Sequence, residues 1–227
     1  MIIKPWIYTR IALNSILAAL SVFIVVKTII FPVEQKKIAD SSEEIPSKIL
    51  LSKAQFVKSK PLLGELPRYK NGYEYQYREY SQQEIITVQL RHESDSDGNV
   101  SRLVSLYQSI QPATIQWQVI SNSQGNYAIF NYQQKLHFTA CLNKQGNTSV
   151  TERDFAINSY PSLGDLQRLF SWLMGIKNFT DSQCWWILLT VDLSPNITTN
   201  QELINFVKNI DVIWQEWINK FSTYTNS

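Results

Sequence analysis

The sequence predicts an α+β fold: an N-terminal single transmembrane helix, then a mainly antiparallel sheet of about five or six strands with about three packed helices. Three patterns predict it. A long apolar run lies near the N-terminus, several later segments alternate polar with apolar residues, and others repeat apolar residues at helical spacing.

Lys4 and Arg10 precede the apolar run without an acidic residue, and Trp6 and Tyr8 suit a membrane interface. Residues 1–10 therefore read as a cytoplasmic N-terminus. From Ile11 to Phe31 the chain runs IALNSILAALSVFIVVKTIIF, close to the roughly 20 residues that a helix needs to cross a bilayer core. Residues 11–32 read as the transmembrane helix, with Lys27 near enough to its end to carry the ammonium to the headgroups. No small-residue cleavage site of the A-x-A kind follows, so the anchor is expected to stay uncleaved. Residues 33–48 are charged, with Glu43 and Glu44 among them, and read as a solvated tether. Residues 49–224 are then a single domain outside the cytoplasm, held to the plasma (inner) membrane.

Within that domain Ile49, Leu50 and Leu51 suggest a short strand, and Pro61, Gly64 and Pro67 punctuate a loop ending at Asn71-Gly72, after which regular structure is expected. Tyr73, Tyr75 and Tyr77 alternate with polar residues, as do Ile86, Val88 and Leu90, and Ser81 to Gln83 between them suit a hairpin loop. Runs at Ile115 to Ile120, Tyr127 to Tyr132, Lys135 to Leu142 and Trp185 to Asp192 read as further strands. Helical spacing appears in Val100, Leu103, Val104 and Tyr107 after Asn99, and in Leu166, Leu169, Phe170 and Leu173 between Ser162 and Gly175. The longest stripe joins Leu203, Phe206, Val207, Ile210, Ile213, Trp214, Trp217 and Phe221, entered through Thr199 and Glu202 as a capping box. Such a stripe predicts a helix laid on the sheet.

A net charge of +2, with lysines and arginines scattered, gives no electrostatic footprint for nucleic acid. The two cysteines, Cys141 and Cys184, leave several readings open. They can form a disulfide in an oxidising compartment, remain buried small hydrophobes, or supply a thiol nucleophile, Cys141 with His137 four residues before it on one strand face. Two Cys and two His without finger spacing make no metal site. Glu93, Asp95, Asp97 and Gly98 stand at the first offsets of a calcium loop, but Val104 occupies the position that requires a bidentate Glu. A strand-to-helix turn capped by Asn99 is the plainer reading. Sequons at Asn99, Asn147, Asn178 and Asn196 matter only in a eukaryotic secretory host. Nucleophile elbows, Walker loops, dinucleotide fingerprints and zinc-protease motifs do not occur in the sequence, and no cofactor is expected.

The segment from Leu136 to Thr151, LHFTACLNKQGNTSVT, is more particular. It resembles the middle of the cyanoexosortase A system-associated proteins. The similarity extends to Tyr75–Arg78, Tyr127–Gln133, Leu169–Gly175, Cys184-Trp185 and the terminal helix at Trp214 and Trp217, covering about Pro46 to Phe221 and the anchor. It departs at Ser47-Lys48, where the family tends to have Gly-Trp. The resemblance implies a membrane-anchored, non-enzymatic accessory of an exosortase system, whose partner is a multi-pass exosortase-type membrane protein or its substrates. It carries over no catalytic residue, and Cys141 and Cys184 match family positions. Two other functions compete: an envelope scaffold or glycan-binding module using Tyr73, Tyr75, Trp117 and Trp185, and a thiol hydrolase or transpeptidase using Cys141 with His137.

Overall fold

The structure, a computed structural model, describes residues 13–16, 18, 21–22, 45–62, 69–80, 84–159, 182–193 and 199–225. The chain divides into two units, Met1–Ser42 and Glu43–Ser227. In the first, the described residues are helical and exposed. Most of the expected transmembrane helix falls outside the described residues, and no helix among those described is long and apolar enough to cross a membrane.

The second unit is α+β. Eight strands among the described residues form one sheet: β1 (Ala54–Leu62), β2 (Tyr69–Glu79), β3 (Ile85–Glu93), β4 (Gln118–Asn122), β5 (Gly125–Tyr132), β6 (Lys135–Leu142), β7 (Thr148–Ser149) and β8 (Cys184–Asp192). Their order is β1-β2-β3-β8-β6-β7-β5-β4, with β5 also paired to β6. Every pairing is antiparallel except a single parallel bridge between Gly125 and Thr148. The sheet is therefore mixed, and it exceeds the expected strand count because β1 and the two-residue β7 carry weak sequence alternation.

Central β8 explains its own composition. It lies between β3 and β6 with helices on both faces, so Trp185 to Leu189 form a continuous buried run where a one-sided strand would alternate. On one face α3 (Asn200–Thr225) covers Tyr75, Tyr77, Val88, Phe138, Ile187 and Leu189 with Phe206, Ile210, Ile213, Trp214, Trp217 and Phe221. This is the predicted stripe. Its capping box forms as expected: Thr199 N–H donates to Glu202 Oε2 at 2.9 Å, and Glu202 N–H donates to Thr199 Oγ1 at 3.2 Å. On the opposite face α1 (Val100–Gln108) and α2 (Glu152–Ser159) bring Val100, Leu103, Val104 and Phe155 against Phe130, Cys141, Trp186 and Leu188. Asn99 caps α1, its side chain accepting from Arg102 N–H.

Several local expectations need correction. Ile49 to Leu51 form no strand; Ile49 and Leu51 are buried core residues of an extended lead-in. The first strand is β1, which contains Pro61, and the expected loop toward Asn71-Gly72 gives way to β2 from Tyr69. An edge strand tolerates proline because its outer N–H groups need no partner, and Val57 sits at a register shift between Phe56 and Lys58 that breaks the alternation. Ile115 precedes β4, following a 3₁₀ turn at Pro112–Thr114. Helix α2 was not expected, having only one strongly buried apolar residue, Phe155. The helix expected between Ser162 and Gly175 and the hairpin loop at Ser81 to Gln83 lie outside the described residues. The domain also takes in part of the expected tether: Tyr75 Oη donates to the Pro46 carbonyl at 2.7 Å and Ser59 Oγ to the Ser47 carbonyl at 2.6 Å.

Candidate functional site

The residues singled out for chemistry converge on β6 and β8. Alternation along β6 sends His137, Thr139 and Cys141 to the face that holds α1, and the antiparallel register sets Thr190, Leu188 and Trp186 opposite them. Cys184 lies diagonally from Cys141, and the two form a disulfide across a Cα–Cα distance of 5.5 Å. Both cysteines are fully buried beside Val104, Phe155 and Trp186.

His137 is buried at the other end of the same strand, with 4% of its surface exposed. Its Nδ1 lies 3.0 Å from Thr190 Oγ1 and its ring stacks on Phe130 at 4.6 Å between centroids. Nε2 meets no hydrogen-bond partner of normal geometry, although the Tyr132 backbone lies close enough to favour the charged ring. Burial prevails and, with help from Lys135, lowers the imidazole to about 4 against the opposing effects of Tyr132 and Asp192. The ring is therefore neutral at physiological pH. Four residues of strand put His137 about 13 Å from Cys141 along β6, far beyond the reach of a nucleophile and its base. Thr139 stands between them, its Oγ1 accepting from Trp186 Nε1 at 3.0 Å. Strand alternation correctly put Cys141 and His137 on one face, but the rise of a strand keeps them apart.

The aromatics proposed as a glycan surface mostly belong to the core. Tyr75 and Trp185 are buried, Tyr75 against Trp217 and Trp185 between His92 and Phe221. Tyr73 and Trp117 are half-buried, packed on Tyr75 and Phe130 respectively.

The acidic turn after β3 is structural. Glu93, first residue of the failed calcium loop, is buried and accepts from Tyr107 Oη. The Arg91 guanidinium lies 4.4 Å from the centre of the Tyr107 ring, which stacks on Trp186 at 5.1 Å. Sequence reasoning missed this Arg91–Tyr107–Glu93 cluster; its only signal was a carboxylate at the end of an otherwise alternating strand. No group of His, Cys, Asp and Glu among the described residues has the arrangement of a metal site.

No family model, curated protein or solved structure matches the chain.

Proposed function

We propose that this chain is a membrane-anchored, non-enzymatic accessory of a cyanoexosortase-type protein-sorting system. Its α+β domain is held outside the cytoplasm beside the multi-pass exosortase or its substrates. The observation that carries this reading is the buried Cys141–Cys184 disulfide. A disulfide belongs in an oxidising compartment, as an exported domain requires, and it occupies both cysteines of the sequence. Thiol chemistry within this chain would need Cys141 released and His137 moved along the sheet. Both cysteines also match positions of the cyanoexosortase-associated family that the sequence resembles. Burial of Tyr75 and Trp185 weighs against a stacking platform for glycans.

The reading is tested by purifying the tagged full chain from its native membranes. A multi-pass membrane transpeptidase is expected to co-purify; its consistent absence under mild detergent and after cross-linking would reject the partnership. A C-terminal alkaline phosphatase fusion is expected to be active, since that enzyme needs export to form its disulfides, and an inactive fusion would reverse the assigned topology.

A further inference from the structure

The edge of the sheet at β1 has an unusual surface. All described, exposed charged residues between Ile45 and Leu90 are positive: Lys48, Lys53, Lys58, Lys60 and Arg78. The carboxylates are withdrawn, with Glu79 buried, Glu84 half-buried and Glu74 engaged by Lys60 at 3.0 Å. Lys53, Lys58 and Arg78 form no ion pair among the described residues, and Lys48 lies over the Phe56 ring. The strands bring Lys53, Lys58 and Arg78 together, while Lys48 lies on the α3-facing side. Arg78 is opposite Gln55 on one side and Ile85 on the other, Lys58 pairs with Gln76 two residues along on the same face, and Tyr80 N–H donates to the Lys53 carbonyl at 3.2 Å.

Apolar side chains are interleaved with them. Tyr80 is 56% exposed, Val57 44% and Ile85 39%, while Leu50, 61% exposed, lies toward α3, its carbonyl accepting from Lys220. The domain's other exposed large apolar residues are spread over α1, β4, α2 and the length of α3. Lysines and a proline on an edge strand are ordinary protection against strand addition. That role does not account for exposed Val57, Tyr80 and Ile85, which make an edge stickier. Cations with long apolar stems, a tyrosine and aliphatic tips are instead what a lipid interface selects.

We infer that the β1 edge is a membrane-surface contact, which lays the domain on an anionic bilayer with Lys53, Lys58 and Arg78 at the headgroup phosphates and Val57, Tyr80 and Ile85 at the interface. Ile45 to Ser47, where the chain enters the domain, lie against β1 and β2 on the opposite, α3-facing side of the sheet, so this membrane contact rests on the cations and apolar tips alone. The inference rests on the membrane-tethered reading above but not on the identity of the partner protein.

Lysine acylation of the full chain, read by mass spectrometry in phosphatidylcholine discs and in discs containing phosphatidylglycerol, tests it. Lys53 and Lys58 are expected to lose reactivity severalfold in the anionic discs while Lys208 on α3 does not. Changing Lys58→Gln or Arg78→Gln should reduce the protection of Lys53 about fivefold for each cation removed. Equal labelling of Lys53 and Lys58 in the two discs would overturn the membrane contact and leave the anchor intact. A chain held by anionic vesicles but not by zwitterionic ones, with Lys53 protected, would reject the anchor and keep the contact; association with neither would reject both.

Discussion

His137 and Glu216 are two titratable groups held below their ordinary values by different surroundings, so both lose stability as the pH falls, in different windows. The imidazole is held at about 4 against an ordinary 6.5, chiefly by burial. The unfolded chain therefore takes up a proton at a pH where the native chain does not. Stability from this group is complete above about pH 6.5 and is lost as the pH falls toward 4, by an order of about 3 kcal/mol. Urea titrations across that window should show the slope in the wild-type protein and a flatter one in His137→Gln. Glu216 acts lower on the pH scale. Burial raises its carboxyl, but Lys220 and the Ser52 hydroxyl and N–H outweigh it and hold the group below the usual carboxylate range. Its contribution is present above the unfolded carboxylate value and disappears as pH drops through the depressed one. The carboxylate accepts from Ser52 N–H at 2.8 Å, and Lys220 Nζ bridges it to the Leu50 carbonyl. Glu216→Gln is expected to cost about 1–2 kcal/mol, measured as a lower urea midpoint at neutral pH with unchanged slope.

At the scale of elements, α3 and the β6–β8 pair carry the fold. Trp217 donates to Tyr77 Oη at 3.2 Å and stacks on Phe221 at 5.2 Å, so Trp217→Ala should cost about 3–5 kcal/mol, whereas Thr199→Ala, which removes half the capping box, should cost about 1 kcal/mol. The disulfide closes a separation of 43 residues, for which a chain-entropy argument gives about 4 kcal/mol. Thermal unfolding with and without reductant checks that figure. Helix α3 was legible because its stripe, its cap and its packing all agree. Strands β2, β3, β5, β6 and β8 were legible from alternation or from apolar runs. Strand β1 was not, since Pro61 and the irregularity at Val57 are signals of a loop in a central strand and are tolerated only at an edge. The candidate site was legible in its residues and not in its distances: strand parity assigns Cys141 and His137 to one face, while partner choice depends on β8, many residues away in the chain.

For the whole molecule, the function proposed above makes placement the main contribution of this chain. The reactive groups that sequence reasoning nominated are committed to the core, Cys141 and Cys184 to each other and His137 to Thr190 and Phe130. A tethered domain needs no catalytic site to matter, because confinement beside a membrane-embedded partner raises effective concentration without any new contact. The most direct measurement is the C-terminal processing of sorted envelope proteins in cells lacking this chain. The full chain is expected to restore processing, and a version beginning at Val33, exported through a cleavable signal, is expected to leave precursors unprocessed despite a folded domain. Normal processing in the deletion cells, or full restoration by the detached domain, would contradict the account.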